Sequence, residues 1–490
     1  MNDRSPRFLF AIVIFNAIAT VVAAEPPNIL LIVSEDNGPE LGCYDHPFVD
    51  TPVLDQLAED GVCFRNAYVP QAGCSQSRAA LLTGLYPHQN GQIGLATWKF
   101  RLYDENIPNL VRCLKNTGYR TGIIGKLHIN PASAFPFDMK QISSANFRRK
   151  QLEDYAKHAE KFFKADNRPF FLSVNYPDAH RPFIKQTRGL PKTPLTGNDV
   201  KPLAYFGLDT PQLRADTADY YNCINRLDPL IGELLEALDR SGKKANTLVV
   251  YLGDHGADLL RGKRTSYEGG VRIPLIFRWP GKTKPNQIRN ELVSTIDLMP
   301  TLLSAANATP VADLPGQSLL PLLRGESPPW REYLFTEFHL HSAHNFYPQR
   351  TVRNARFKLV HNLMPEQQNP GYDFTLKRFF ADLPETIDAA TPSVRAAYHR
   401  MRQPPEFELY DLQLDPFEFD NLADKPTHAA TLNELRTQLT NWRERTNDPL
   451  QNPENLRRLK SEIDASHLNG KARKDQLFLT YPDYFFGEQP

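Results

Sequence analysis

The sequence predicts an α/β sandwich, a large and mostly parallel sheet flanked by helices, followed by a smaller C-terminal α+β domain. Three observations predict it. Four continuous apolar runs break off abruptly into polar residues, a helical repeat lies between two of them, and the character of the chain changes after about residue 325. An apolar run without alternation suits a strand buried on both faces, as in a parallel sheet. Strands alternating with helical patterns require crossovers, and crossovers build a sandwich.

The first run, Asn28–Val33, leads into Ser34-Glu35-Asp36-Asn37-Gly38. The second, Thr121–Ile124, leads into Gly125-Lys126-Leu127-His128. Pro169–Val174 runs into Asn175-Tyr-Pro-Asp178-Ala-His180-Arg181, and Thr247–Leu252 into Gly253-Asp254-His255-Gly256. Open α/β sheets bind ligands beyond the carboxyl ends of their strands. All four runs carry carboxylate, imidazole or ammonium groups there. Tyr220, Leu227, Ile231, Leu234 and Leu238 trace one helix face ending at Gly242.

Residues 314–323 read as a connector and a short helix. Beyond them, Thr351–Leu363 and Phe407–Leu412 read as short strands around a polar insertion, 364–406, and about 426–445 as a final helix. The expected division is 25–345 for the larger domain and 346–490 for the smaller.

Bulk properties narrow the function. Lysine plus arginine number 57 against 56 acids, so no global field draws the chain to nucleic acid and any anion specificity is local. Arg4 and Arg7, the apolar stretch Phe8–Val22 and the small residues Val22-Ala23-Ala24 read as a signal peptide, residues 1–24, cleaved near Ala24. Asn16 and Thr20 interrupt a stretch already short for a membrane span, so the expectation is an exported protein, periplasmic or secreted, without stable membrane insertion. Five cysteines (Cys43, Cys63, Cys74, Cys113, Cys223) make an odd set, leaving at least one unpaired, modified or reactive.

Cys74 begins the stretch that organises the rest. Cys74-Ser75-Gln76-Ser77-Arg78 reads as the first turn of a short amphipathic helix closed by Gly84 and Pro87. A helix start offers unpaired N–H groups to a thiolate or anion, and Arg78 lies four residues on, on the same face. Alone, this describes a buried cysteine beside a surface arginine more readily than a reactive site.

The strand ends add chemistry. Glu35, Asp36 and Asp254 would repel one another unless a cation neutralised them, and oxygen donors favour a hard ion such as Ca²⁺ or Mg²⁺. His255 can add a nitrogen. Arg78, Lys126, His128, His180 and Lys263 form the complementary set, cations for an anionic centre and imidazoles for proton transfer. A cation, a nucleophile and anion-binding groups describe hydrolysis of a phosphate or sulfate derivative. These residues alone do not choose between the two.

The motifs resemble those of the sulfatase family. Cys74-x-x-x-Arg78 followed by Thr83-Gly84 and His88 is similar to its signature, Gly125-Lys126-x-His128 to its Gly-Lys-x-His, and Asp254-His255-Gly256 to its Asp-[Asn/His]-Gly. Gly262-Lys263-x-x-x-Tyr267-Glu268-Gly-Gly270 is similar to a further element. Leu85-Tyr-Pro-His88-Gln-Asn-Gly91, Arg214-Ala-Asp216 and Phe357-Lys-Leu-Val-His361 resemble the heparan N-sulfatase (sulfamidase) branch, and Tyr410-Asp-Leu-x-x-Asp-Pro-x-Glu418 a wider sulfatase ending.

The resemblance implies an alkaline-phosphatase-like sandwich and a formylglycine formed from Cys74 by a maturation enzyme, its hydrate acting as the nucleophile. It implies one Ca²⁺ held by Glu35, Asp36, Asp254, His255 and the modified Cys74. Arg78, Lys126 and Lys263 would hold the sulfuryl oxygens, His180 would protonate the leaving group, and His128 would assist sulfate release. The implied substrate is a sulfated saccharide, most directly an N-sulfoglucosamine end. The alternatives are an O-sulfatase for another polysaccharide, a catalytically silent glycan-binding relative, or a phosphodiesterase of the superfamily. Arg181 and His341 are expected to touch substrate, and the cluster His339, His341 and His344 beside Glu337 either lines the pocket or forms a polar loop at the domain junction. A homodimer is compatible with the sequence. Three positions depart from the pattern: Gln76 replaces proline, Glu35 replaces the first aspartate, and Lys263 stands where sulfamidases carry arginine.

Overall fold

The computed structural model describes residues 25–365, 367–380 and 382–487; the expected signal peptide, 1–24, lies outside the described residues. Eight strands form the main sheet: β1 (Asn28–Ser34), β2 (Val62–Phe64), β3 (Arg120–Gly125), β4 (Met139–Gln141), β5 (Phe170–Tyr176), β6 (Thr247–Gly253), β7 (Leu275–Arg278) and β8 (Gln287–Arg289). Their order is β8-β2-β7-β6-β1-β5-β3-β4. All neighbours are parallel except β7, which runs antiparallel to both β2 and β6. The four sequence runs are thus β1, β3, β5 and β6, adjacent at the centre of the sheet.

Register is what makes this arrangement useful. Ser34 lies opposite Tyr176 on one side and Gly253 on the other, and Gly125 lies opposite Asn175. Four strands therefore end side by side, and their polar loops leave the same edge. Two glycines permit the crowding. A Cβ on Gly253 would sit 1.9 Å from the Asn37 carbonyl oxygen, and Gly125 has φ +91° with the Asn175 carbonyl 2.2 Å from its would-be Cβ.

Alternate residues of the strands feed two cores. Leu30, Ile32, Leu172, Val174 and Tyr251 face one layer with Leu227, Ile231, Leu234 and Leu238 of the helix Pro211–Arg240. Ile29, Leu31, Val33, Phe171 and Val250 face the other with Leu298, Leu302 and Leu303. Both faces are covered, which is why the runs lack polar alternation. The helix is capped by the Thr210 side chain and Gly242 follows in the left-handed region, as the periodicity predicts.

The second sheet is antiparallel and four-stranded: β9 (Leu334–Phe338), β10 (Gln349–Arg353), β11 (Phe357–Asn362) and β12 (Phe407–Asp411), paired in chain order. It begins at Leu334, so it takes in a strand on the N-terminal side of residue 346. The insertion 364–406 holds three helices, Pro370–Phe379, Pro384–Ala389 and Pro392–Arg402. The helix expected from about 426 starts at Ala429, after a 3₁₀ turn at Pro426–His428, and ends at Arg445. Leu435, Leu439 and Trp442 of this helix pack on Val352, Leu359 and Leu409 of the small sheet. Among the described residues no helix is long and apolar enough to cross a membrane.

Glu337 ties the second sheet to the short helix Pro87–Asn90. It accepts from the His88 backbone N–H at 2.9 Å and from His88 Nδ1 at 2.6 Å, and Arg350 Nε lies 3.6 Å away. Burial would raise its carboxyl, but His88, His339 and Arg350 outweigh it and hold it at about 2. A depressed carboxyl adds stability above its unfolded value, near 4.5, that disappears as pH falls toward 2. Glu337→Gln should therefore flatten the fall of the thermal midpoint between pH 5 and pH 3, an effect on the order of 2 kcal/mol; an unchanged acid slope would refute the assignment. In the main core, Leu234→Ala should lower stability by about 2–5 kcal/mol, read from the denaturant midpoint.

Candidate active site

The helix α1 (Cys74–Thr83) starts after Gly73, whose extended backbone forms the cap without a side-chain hydrogen bond, and stops at Gly84 in the left-handed region. All ten of its residues are buried, so it is not the amphipathic helix the sequence predicts. It is walled in by the strand-end loops on one side and by the 93–95 and 339–341 segments on the other.

Around the Cys74 sulfur stand three imidazoles. His255 Nε2 is 3.4 Å from it, and His128 and His341 lie close enough to bear on its charge. Burial alone would raise the thiol. Lys126, Lys263 and His255 overcome this and hold it well below the usual thiol range.

The cations are paired with carboxylates. Arg78 donates to Glu35 at 2.8 Å, to Asp254 at 3.1 Å and to Asn175 Oδ1 at 2.6 Å. Lys126 donates to the other Glu35 oxygen at 2.7 Å, and Lys263 to both Asp36 oxygens at 2.9 and 3.0 Å. Arg78 is thus a buried fork, not a surface residue. Glu35, with its extra methylene, reaches across to bridge two cations.

Asp36, Cys74, Asp254 and His255 bring one donor atom each within 4.8 Å of one another, and so do Glu35, Asp36, Cys74 and His180. His255 donates from Nδ1 to the Gly256 carbonyl at 2.9 Å, which turns Nε2 toward Asp36 and Asp254 at 3.3 and 3.6 Å. Burial pulls the imidazole down, yet Asp254 and Asp36 raise it to about 9; burial lifts Asp36 to about 6 against Lys263 and His255. Two carboxylate oxygens, an imidazole nitrogen and a sulfur aimed at one point form a donor set that demands a positive charge, and it fits a metal ion.

His180 donates from Nδ1 to the Arg181 carbonyl, so Nε2 is the nitrogen left for chemistry. Burial, then Lys263 and Lys126, lower the imidazole to about 3. His341 is likewise lowered by burial to about 3, and its Nε2 is buried without a hydrogen-bond partner. Arg181 stands further out, with Nε on the Asp258 carbonyl at 2.9 Å and its guanidinium over the rings of Phe183 and Phe380. Of the histidine cluster, His341 is the one that lies beside Cys74 among the described residues. His339 is locked between Gln71 and Arg350, and His344 packs on Trp98 and Phe374.

Several supporting residues escape sequence reasoning. Asp178, just before His180, is held by Arg149 at 2.9 Å and by Arg226 at 2.8 and 2.6 Å, all three buried. Arg149 also donates to the His180 carbonyl. The Phe147 ring stacks on His180 at 3.8 Å and lies beneath Lys126 at 5.4 Å. Arg226 comes from a helix whose pattern reads as core, and no local signal links residues 147 and 149 to 180. Asn175 does carry one, as the first polar residue after its strand run.

A family model described as Sulfatase matches residues 27–308, which contain α1 and all four strand ends. The chain belongs to the sulfatase family. A second model, described as N-sulphoglucosamine sulphohydrolase, C-terminal, matches residues 253–377 of this sulfatase. It is 35% identical to the human N-sulphoglucosamine sulphohydrolase over 87% of this chain and 91% of that protein. An ulvan-active sulfatase from Formosa agariphila is 28% identical over 94% of this chain and 90% of its own. Among solved structures, a 2-O GAG sulfatase superposes with a TM-score of 0.67 at 23% identity, covering 87% of this chain and 94% of that one, which shows the shared fold.

The Asp178 network gives a direct test of this sulfatase's scaffold. Removing one partner of a buried ion pair typically costs about 3–5 kcal/mol. Arg226→Met should therefore lower the denaturant midpoint markedly, whereas Arg168→Met, which breaks only an exposed pair with Asp166, should leave it nearly unchanged.

Proposed function

We propose that this sulfatase removes N-linked sulfo groups from glucosamine residues of heparan-type saccharides. The observation that carries the reading is the 35% identity to the human N-sulphoglucosamine sulphohydrolase along nearly the whole of both chains. Export fits the reading, with residues 1–24 as the cleaved signal peptide.

Cys74 is the residue to be oxidised to formylglycine by a maturation enzyme, and the hydrated aldehyde supplies the attacking hydroxyl. Asp36, Asp254, His255 and residue 74, joined by Glu35, would hold Ca²⁺, which supplies Lewis-acid charge to the sulfo oxygens. The remaining work falls to the chain's own side chains. Lys126, Lys263 and Arg78 bring three cations to the place where negative charge grows on the sulfo oxygens, in a site from which water is excluded. Fixed cations there favour the transition state over the ground state. His180 presents Nε2 to the departing nitrogen, since the Nδ1 proton is committed to the Arg181 carbonyl. Burial, Lys263 and Lys126 keep the free imidazole neutral, so the negative charge of the bound sulfo group has to raise its pKa before Nε2 can carry the proton it gives up. Phe147 keeps that imidazole in plane by stacking. His128, held below the ordinary imidazole range by burial and by Lys126, serves as base for the release of sulfate. Arg181 and His341 border the space a sugar would occupy.

A second reading, an O-sulfatase for another polysaccharide, is favoured by two observations. Lys263 stands where the sulfamidase pattern has arginine, and an ulvan-active sulfatase matches over 94% of this chain. Lysine is a point charge and arginine a planar fork, so the swap bears on which sulfo group fits.

Sulfate release from N-sulfoglucosamine ends, compared with O-sulfated and ulvan-type saccharides, decides between them; a clear preference for the O-sulfated set would overturn the first reading. The Cys74 peptide of the active protein should carry the aldehyde by mass spectrometry. Cys74→Ala should cut turnover by roughly 10⁴-fold or more, and Lys126→Met by about 10²–10³-fold. A chelator should abolish turnover, and added Ca²⁺ should restore it.

A further inference from the structure

Gln76 is the residue that departs from the signature's proline, and it is wholly buried in the first turn of α1. Its Nε2 donates to the Leu340 carbonyl at 2.7 Å and to the Ile93 carbonyl at 3.3 Å. Two carbonyl acceptors fix which end of the amide faces them, since an amide oxygen there could donate nothing. Gln71, three residues before α1, donates to the same two carbonyls at 2.9 and 3.3 Å. Two side-chain amides thus occupy both lone pairs of each oxygen, and they do so from the segment that carries Cys74.

What they grip matters. Leu340 precedes His341, whose own backbone is tied down on both sides: its N–H donates to Asn345 Oδ1 at 3.0 Å and its carbonyl accepts from Leu95 at 2.9 Å. With the backbone pinned on each flank, the imidazole is held beside Cys74, and its buried Nε2 has no partner of its own. A buried polar nitrogen left over by the protein is available to a ligand. Gly73 completes the fit, because a Cβ there would lie 2.6 Å from Gln76 Oε1.

We propose that Gln76 is a positioning residue: through the Leu340 carbonyl it holds His341 against the head of α1, so that His341 Nε2 meets the substrate's sulfo group or the atom bearing it. Proline at position 76 has no side-chain donor, so in this chain the departure from the signature supplies a tether that the usual residue lacks. The inference rests on the reading of Cys74 as the source of the nucleophile.

The test uses the full chain with Gln76→Met, which keeps the length and loses the donor, His341→Ala, and the double variant. For each, the fraction of Cys74 converted to aldehyde is measured by mass spectrometry, and kcat and KM are expressed per converted site, on whichever N- or O-sulfated saccharide the wild type cleaves. A misplaced contact group costs up to about 10²-fold, so Gln76→Met and His341→Ala should each lower kcat/KM per converted site roughly ten- to a hundred-fold. The double variant should be no worse than His341→Ala alone. Full activity per site in Gln76→Met, or losses that multiply in the double variant, overturns the proposal. Should Gln76→Met not fold, Gln76→Asn, which keeps a shorter donor, should show the same dependence on His341. A wild-type chain that turns over with Cys74 as thiol fails the nucleophile reading while leaving the coupling between residues 76 and 341 measurable.

Discussion

Everything at the head of the central sheet follows from the need to keep buried charges compensated. Three carboxylates, two lysines and an arginine sit within a few ångströms of one another, each almost wholly removed from water. Taking such groups from water costs several kcal/mol each, and only close partners of opposite sign repay it. Hence no cation of the site stands alone: Arg78 spans Glu35 and Asp254, Lys126 completes Glu35, and Lys263 closes on Asp36. The partners come from different strand ends, so the strands must finish level. The parallel register of β1, β3, β5 and β6 and the glycines at 125 and 253 are the backbone conditions for that.

The same constraint recurs one layer out. Asp178 carries its charge into the interior so that the chain can turn and present His180, and it needs two arginines to do so. One comes from the loop before the helix Asp154–Phe163, the other from the middle of the helix Pro211–Arg240. The small domain repeats the solution with Glu337, His88, Arg350 and Asp448. The junction between the two sheets is therefore polar and hydrogen-bonded, yet as closed to water as the apolar cores beside it.

What the sequence made legible was whatever is local. The four strands, the break at each strand end and the helix through Leu234 are carried by runs and periods of neighbouring residues. The polar residues at those ends were identifiable because an abrupt change of character marks them. Polar Ser75, Gln76, Ser77 and Arg78 give the signature helix an amphipathic look, but Ser75, Gln76 and Arg78 find their partners in distant segments, which no period reveals. Arg226 shares a helix with core leucines and looks like their solvated flank, though it is buried. Phe147, Arg149 and Gln71 act across gaps in the chain that only the folded topology closes. The histidines near 340 illustrate both sides: their clustering was visible, but which one lies beside Cys74 depends on the backbone path between Leu340 and Asn345.

The tail of the chain has a bearing on time as well as on shape. The Tyr481 hydroxyl donates to the Gly91 carbonyl and accepts from the Arg101 N–H, and Leu477 and Tyr481 share a core with Ile93, Phe100 and Leu340. The wall beside Cys74 is therefore finished by residues almost four hundred positions later in synthesis. Once it closes, Cys74, only 2% exposed, is out of reach of any other protein. An enzyme that modified this cysteine would therefore have to act while the chain is still open, before the helix Tyr481–Phe486 packs.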